Sequence, residues 1–186
     1  MGKIILITGG ARSGKSSYAE EKAKKIGSKV MYIATAVPFD SEMKDRIRKH
    51  QIRRPENWVT YEGYENLYKI IDEVGQNYQC VILDCVTVMI TNIMFNYPGF
   101  SVNKLDFSII NKIEEHIMNQ IYKLMEKAKE KNITLLMVTN EVGSGIVPNS
   151  KVGRVFRDIA GRVNQVTAKQ AQEVYFLVSG LPMKIK

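Results

Sequence analysis

An α/β domain whose mostly parallel sheet is flanked by helices on both faces is what this sequence predicts, on three observations. Short apolar runs of strand length alternate with longer amphipathic segments, the pattern of successive strand–helix units. The first apolar run leads directly into Gly9-Gly10-Ala11-Arg12-Ser13-Gly14-Lys15-Ser16, a glycine-rich turn between a strand and a helix. Composition is that of an ordinary globular domain, 45% hydrophobic and 25% charged over 186 residues, which excludes disorder, collagen and coiled coil. A chain of this length suits one domain and buries about 70% of its unfolded surface without a disulfide or metal staple.

Taken in order, strands are expected at about Lys3–Thr8, Lys29–Ala34, Trp58–Glu62, Cys80–Asp84, Ile133–Thr139 and Glu173–Ser179, with helices filling the gaps. The clearest helix spans about Asp106–Lys131. There Ile110, Ile113, Ile117, Ile121, Leu124 and Ala128 recur at three- and four-residue intervals and form one apolar stripe, opposite a face of Lys, Glu and Asn. Ser41–Gln51 reads as a shorter, highly charged helix, and Val152–Gln172 as another. Tyr97-Pro98-Gly99 marks an excursion between the fourth strand and the long helix. There is no repeat, low-complexity tract or linker, so residues 1–186 are expected to form a single catalytic domain.

The longest apolar runs, around Ile4–Ile7 and Leu135–Val138, are far short of the ~18 residues needed to span a bilayer. No signal-peptide pattern follows Met1, and Leu6 stands where a myristoylation motif requires Ser or Thr. Cys80 and Cys85 are too few for a disulfide framework, so a reducing cytoplasm is the expected compartment. Lysine and arginine outnumber acidic residues by 27 to 19, giving a net charge of +8, which suits an anionic ligand.

The glycine-rich turn satisfies G-x-x-x-x-G-K-[ST] in the strand–turn–helix context that its mechanism demands. Gly9, Gly10, Ala11, Arg12, Ser13 and Gly14 would turn backbone N–H groups inward around a phosphate, with the positive end of the following helix behind them. Lys15 would reach the β and γ phosphates and Ser16 would hold Mg²⁺. Asp84, at the end of the apolar run Val81-Ile82-Leu83, is the acid expected to help position that metal. Ala34-Thr35 and Thr139-Asn140-Glu141 should emerge at the same carboxyl edge of the sheet. Cys85 reads as a buried small hydrophobe and His116 as a surface histidine.

His50 lies toward the end of a basic segment containing Lys44, Arg46, Arg48, Lys49, Arg53 and Arg54, and neighbouring cations favour neutral, nucleophilic imidazole. A second basic region runs from Gly143 through Arg154, Arg157 and Arg162 to Lys169. Arg154 and Arg157 share a helical face, as do Asp158 and Arg162. The region serves either intrahelical ion pairing or a phosphate clamp.

These segments together resemble the bifunctional adenosylcobinamide kinase / adenosylcobinamide-phosphate guanylyltransferase family over essentially the whole chain. The segments that carry the resemblance include Thr8 to Ser16, Tyr32-Ile33-Ala34-Thr35, Glu42-Met43 with Arg46-Ile47 and His50, Thr139 to Gly143, Phe156 to Gln165, and Ser179-Gly180-Leu181-Pro182. The P-loop is shared by many families, whereas Phe156 to Gln165 and the Glu-Met-x-x-Arg-Ile-x-x-His spacing are much more particular. The resemblance implies a RecA-like P-loop fold and two reactions: phosphorylation of the adenosylcobinamide hydroxyl by ATP or GTP, then transfer of GMP from GTP to the new phosphate. It implies a guanylyl-histidine intermediate on His50, and nucleotide contacts at Ala34, Thr35, Ala36, Gln51, Ile52, Arg53, Arg54, Glu62 and Asp84. It also implies a homo-oligomer, a trimer among known cases. Some members carry two adjacent histidines where this chain has Lys49-His50, and Asp84 can be Glu elsewhere in the family. Two other readings are consistent with the P-loop: a kinase of another small alcohol, and a RecA-like ATPase binding nucleic acid through its charge. Few aromatics beyond Trp58 and Tyr61 interleave with the basic residues, which argues against the latter.

Overall fold

The computed structural model describes residues 2–36 and 54–186. Strands β1 (Ile4–Gly9), β2 (Val30–Ala34), β3 (Val59–Glu62), β4 (Cys80–Asp84), β5 (Thr134–Val138), β6 (Glu173–Val178) and β7 (Leu181–Lys184) form one sheet in the order β3-β2-β4-β5-β1-β6-β7. Every neighbouring pair is parallel except β6 with β7. Helices α1 (Lys15–Ile26), α2 (Leu67–Val74), α3 (Val86–Asn96), α4 (Phe107–Glu130) and α5 (Lys151–Gln170) join them, with a 3₁₀ turn at Gly75–Asn77.

Strand alternation divides the core into two layers. Ile4, Leu6, Met31, Ile33, Val81, Leu83, Leu135 and Met137 face one cluster, which α2, α3, α4 and α5 cover. Ile5, Ile7, Val30, Tyr32, Ile82, Leu136 and Val138 face the other, where Ala19 and Ala23 of α1 pack. A parallel sheet buried on both sides needs strands that are apolar at every position, which is why these segments read as continuous apolar runs. The expected helices on both faces are present. Because β1 lies inside the sheet beside β5 and β6, the loops leaving β1, β2, β4 and β5 gather at one carboxyl edge.

The long amphipathic helix matches its expected span to within a residue at each end. Asp106 caps it by accepting from the Ser108 backbone N–H at 2.8 Å, and its six stripe residues are all buried. Ser150 caps α5 through the Gly153 N–H at 3.1 Å. Two elements differ from expectation. The gap after β4, where sequence sets no helix bounds and marks only the excursion at Tyr97-Pro98-Gly99, holds the 11-residue helix α3, in which Val86, Met89, Ile90, Ile93 and Met94 are buried together with Thr87 and Asn92. A helix enclosed on most sides has no polar face, so its period is hard to see in sequence. The chain end forms β7, which pairs antiparallel with β6 through a two-residue turn at Ser179 (φ 51°) and Gly180 (φ 86°). Positive φ at both positions is the tight hairpin geometry, and Pro182 is tolerated because β7 is an edge strand. The expected helix at Ser41–Gln51 lies outside the described residues. No helix among the described residues is long and apolar enough to cross a membrane.

The β1–β6 edge is tied by charge. The Glu173 carboxylate accepts from Lys3 Nζ, from the Tyr175 hydroxyl at 2.5 Å and from Lys22 Nζ at 3.1 Å. These donors hold its pKa down to about 2, with Lys3 the largest influence. A carboxyl depressed in the folded state stabilises the fold above its unfolded pKa, and this contribution disappears as pH falls from the ordinary glutamate range toward 2. Since Lys3 is half exposed, solvent screening reduces the contribution to about 1–2 kcal/mol. Glu173→Gln is therefore expected to lower the thermal midpoint at pH 7 by roughly 2–8 °C, with the difference from wild type shrinking below pH 4. A pH-independent difference in a melting series would refute the charge-based account.

Candidate active site

The loop leaving β1 wraps around its own backbone. Arg12 (φ 57°) and Gly14 (φ 94°) adopt left-handed conformations, and Ser13 N–H donates to the Gly10 carbonyl at 3.3 Å. Gly14 then serves as N-cap of α1, whose first residue is Lys15. Glycine is required here for space as well as for φ. A Cβ on Gly9 would lie 2.6 Å from the Leu177 carbonyl oxygen of β6, and one on Gly14 would lie 3.1 Å from Gly180 Cα. The β6–β7 turn also donates from Gly180 N–H to the Ser13 carbonyl at 2.9 Å, so the hairpin braces the phosphate loop.

Lys15 is buried, and its Nζ lies 2.5 Å from the Gly10 carbonyl oxygen and 3.5 Å from Ser13 Oγ. Burial lowers its pKa, partly opposed by Cys85 and Asp84. With a buried ammonium and the N-terminus of α1 at Gly14, the loop has the electrostatics of an anion cradle.

A cavity of about 520 Å³ opens beside this loop. Of the residues expected at a site, Ala11, Arg12, Ser13, Gly14, Lys15 and Ser16 line it, as do Ala34, Ala36, Arg54 and Asp84 from the neighbouring strand ends. Gly9 and Gly10 form the loop's base without lining the cavity. Thr35 sits behind the wall: its hydroxyl donates to the Cys85 carbonyl and accepts from the Cys85 N–H, both at 2.8 Å. Thr35 is thereby a brace rather than a lining residue. Glu62 ends β3 on an exposed position outside the lining. His50, Gln51, Ile52 and Arg53 lie outside the described residues.

Glu141 is not brought to the cavity; its carboxylate accepts from the Gly143 N–H at 2.8 Å and shapes the loop after β5. Its neighbour Asn140 takes the lining position and donates to Thr87 Oγ1 at 2.8 Å. Thr87 in turn lies 3.1 Å from Cys85 Sγ, whose thiol burial pushes upward in pKa, in keeping with an unreactive wall residue. Asn164 of α5 closes the network, donating to the Asn140 carbonyl at 3.2 Å and accepting from the Thr139 hydroxyl at 2.8 Å.

The second basic region resolves differently from its helical spacing. Arg154 donates to the carbonyls of Pro148 and Asn149 at 2.8 and 2.7 Å, tying down the preceding loop. Arg162 does not take Asp158 as its hydrogen-bonding partner; its guanidinium forks onto Glu114 of α4, because packing α5 against α4 brings a carboxylate into bidentate reach. Asp158 lies 3.7 Å from Arg157 instead. His116 is half-buried, paired with Glu65 at 2.6 Å.

Sequence reasoning assigned no role at the site to Tyr32. Its ring is 2% exposed and lines the cavity, its hydroxyl donates to Asp84 Oδ2, and the Arg54 guanidinium carbon sits 3.5 Å from the ring centroid. The available signal was period-two alternation, which puts Tyr32 on the same face as Ala34, next to Asp84 on β4.

A glycine-rich loop running from an interior parallel strand into a buried lysine defines a P-loop nucleotide-binding protein of the RecA-like α/β class. The KaiC-like protein PH0186 of Pyrococcus horikoshii OT3 shares this fold, with a TM-score of 0.51 over 94% of this chain and 70% of that one at 13% identity. The chain belongs to the cobinamide kinase / cobinamide phosphate guanyltransferase family, which it matches over residues 5–185. It is 44% identical over 184 residues to the bifunctional adenosylcobalamin biosynthesis protein CobU of Escherichia coli strain K12, covering 98% of this chain and 99% of that one. Identity is 41% over 186 residues to CobU of Salmonella typhimurium, covering 98% and 99%, and 35% over 181 residues to CobP of Pseudomonas aeruginosa, covering 97% and 96%.

Proposed function

We propose that this protein phosphorylates the hydroxyl of adenosylcobinamide with ATP or GTP and then transfers GMP from GTP to the product, releasing pyrophosphate and forming adenosylcobinamide-GDP. The observation that carries the reading is a family match over residues 5–185 in a chain whose phosphate loop, Lys15 and Asp84 share one cavity. The acting catalytic residues are Lys15 and His50. In the first reaction the substrate oxygen attacks the γ phosphorus, the bond to the bridging oxygen breaks, and nucleoside diphosphate leaves. In the second, the imidazole of His50 attacks the α phosphorus of GTP and expels pyrophosphate. The cobinamide phosphate oxygen then attacks that phosphorus and displaces the imidazole.

One cradle serves both reactions because Lys15 and the inward N–H groups bind the triphosphate whichever phosphorus is attacked. Ser16 and Asp84 supply a hydroxyl and a carboxylate on the cavity wall, hard oxygen donors that fit Mg²⁺. A bound Mg²⁺ would supply neutralisation of the charge that develops on the phosphoryl oxygens. Ala36 and Arg54, two of the residues implied as nucleotide contacts by the family resemblance, both line the cavity, which supports the reading. The protein is proposed to act in the cytoplasm as a homo-oligomer, a trimer by family resemblance, without nucleic acid or membrane partners.

Intact mass spectrometry after incubation with GTP and Mg²⁺ tests the reading. One GMP moiety should be added per chain, and adenosylcobinamide phosphate should discharge it. An unmodified chain that still phosphorylates cobinamide would leave a kinase alone.

A further inference from the structure

Resting on the assignment of Asp84 to the metal, we propose that Tyr32 is a positioning residue that holds the Asp84 carboxylate in its metal-binding orientation. Strands β2 and β4 pair in parallel, with Tyr32 opposite Ile82 and Ala34 opposite Asp84. Side chains two apart share a face, so Tyr32 and Asp84 are diagonal neighbours on the α1 side, within reach of an aromatic ring. The Tyr32 hydroxyl spans that diagonal and donates to Oδ2.

A carboxylate at a strand end has a broad, two-fold torsional well and adopts several orientations unless something holds it. Here one oxygen is committed to the phenol, which leaves Oδ1 as the oxygen that would be free to hold a cation. In this pair the phenol O–H is the donor and the Asp84 oxygen the acceptor. The ring in turn is fixed from two sides. It is packed in the α1-side core with Val30, Ala34 and Trp58, and the Arg54 guanidinium covers it at 3.5 Å. Arg54 itself is held by Nη1 donating to Thr60 Oγ1 at 3.1 Å. A phenylalanine would fill the same core volume and stack under Arg54 equally well, so packing alone gives no reason for a hydroxyl in this position. Hydrogen-bond partners of ligating groups are typically worth 10- to 100-fold in metal affinity.

The test is a titration of Mn²⁺ into protein loaded with guanosine 5′-(β,γ-imido)triphosphate, with free Mn²⁺ followed by electron paramagnetic resonance. Wild type, Tyr32→Phe, Asp84→Asn and the double variant are compared. Tyr32→Phe is expected to weaken Mn²⁺ binding about 10-fold. Its analogue affinity in EDTA and its metal-free thermal midpoint should stay close to wild type, and the double variant should bind Mn²⁺ no more weakly than Asp84→Asn alone. The kinase rate of Tyr32→Phe should recover toward wild type at saturating metal. Wild-type Mn²⁺ affinity in Tyr32→Phe, with Asp84→Asn impaired, would overturn the inference and leave the metal assignment standing. Wild-type affinity in both single variants would overturn the two together. An equal loss of analogue affinity in EDTA would make Tyr32 a packing residue and overturn the positioning role.

Discussion

Lys15→Ala is expected to lose both phosphorylation of cobinamide and guanylyl transfer, each by at least about 10²- to 10³-fold in kcat. The ammonium is buried beside the cavity, where its interaction with phosphate is little screened, and among the described residues its hydrogen-bond partners are the Gly10 carbonyl and Ser13 Oγ of its own loop. Both reactions place charge on the same triphosphate, so removing one shared cation must weaken both. The lowered pKa of Lys15 adds a directional check: the ligand-free protein loses the ammonium at a lower pH than the nucleotide complex, where phosphate stabilises the charge. The alkaline limb of kcat/KM should therefore lie below that of kcat. Steady-state rates for the two half-reactions, measured separately, decide the matter. Survival of either at near wild-type rate would mean that the two reactions use different nucleotide sites.

His50→Ala should abolish guanylyl transfer and spare most of the kinase reaction, because in phosphorylation the nucleophile is the substrate hydroxyl and imidazole forms no bond. Wild type incubated with α-labelled GTP should retain the label, whereas γ-labelled GTP should leave none, since pyrophosphate departs. The adduct should be a phosphoramidate. Protonation of its nitrogen makes imidazole a good leaving group, so brief acid should release the label while alkali should not; serine or threonine esters would show the opposite order. A label that resists acid, or that persists in His50→Ala, would remove His50 from the mechanism.

The parts of this fold legible in the sequence are those governed by neighbours along the chain. The apolar runs of β1, β2, β4 and β5 announce a sheet buried on both sides. The spacing from Ile110 to Ala128 defines α4, and the glycine-rich turn with Lys15 and Ser16 carries its chemistry in eight consecutive residues. Even Asp84 was accessible, as the acid that ends an apolar run. Helix α3 was not, because a segment enclosed by the core on most sides shows no alternation of polar and apolar faces.

Tertiary structure decided what lies between elements. Arg162 has a carboxylate four residues away on its own helix, but packing supplied the better-shaped partner, Glu114, from 48 positions away. The brace of Gly180 on Ser13 depends on β6 lying beside β1 and on β7 folding back. Tyr32 meets Asp84 only because β2 and β4 are adjacent in one particular register; a slip of one residue would put the phenol on the opposite face of the sheet. Periodicity and motifs report which residues can form a strand or cradle a phosphate. Strand order and register are set by burying both faces of the sheet at once, and they determine which side chain stands beside the carboxylate.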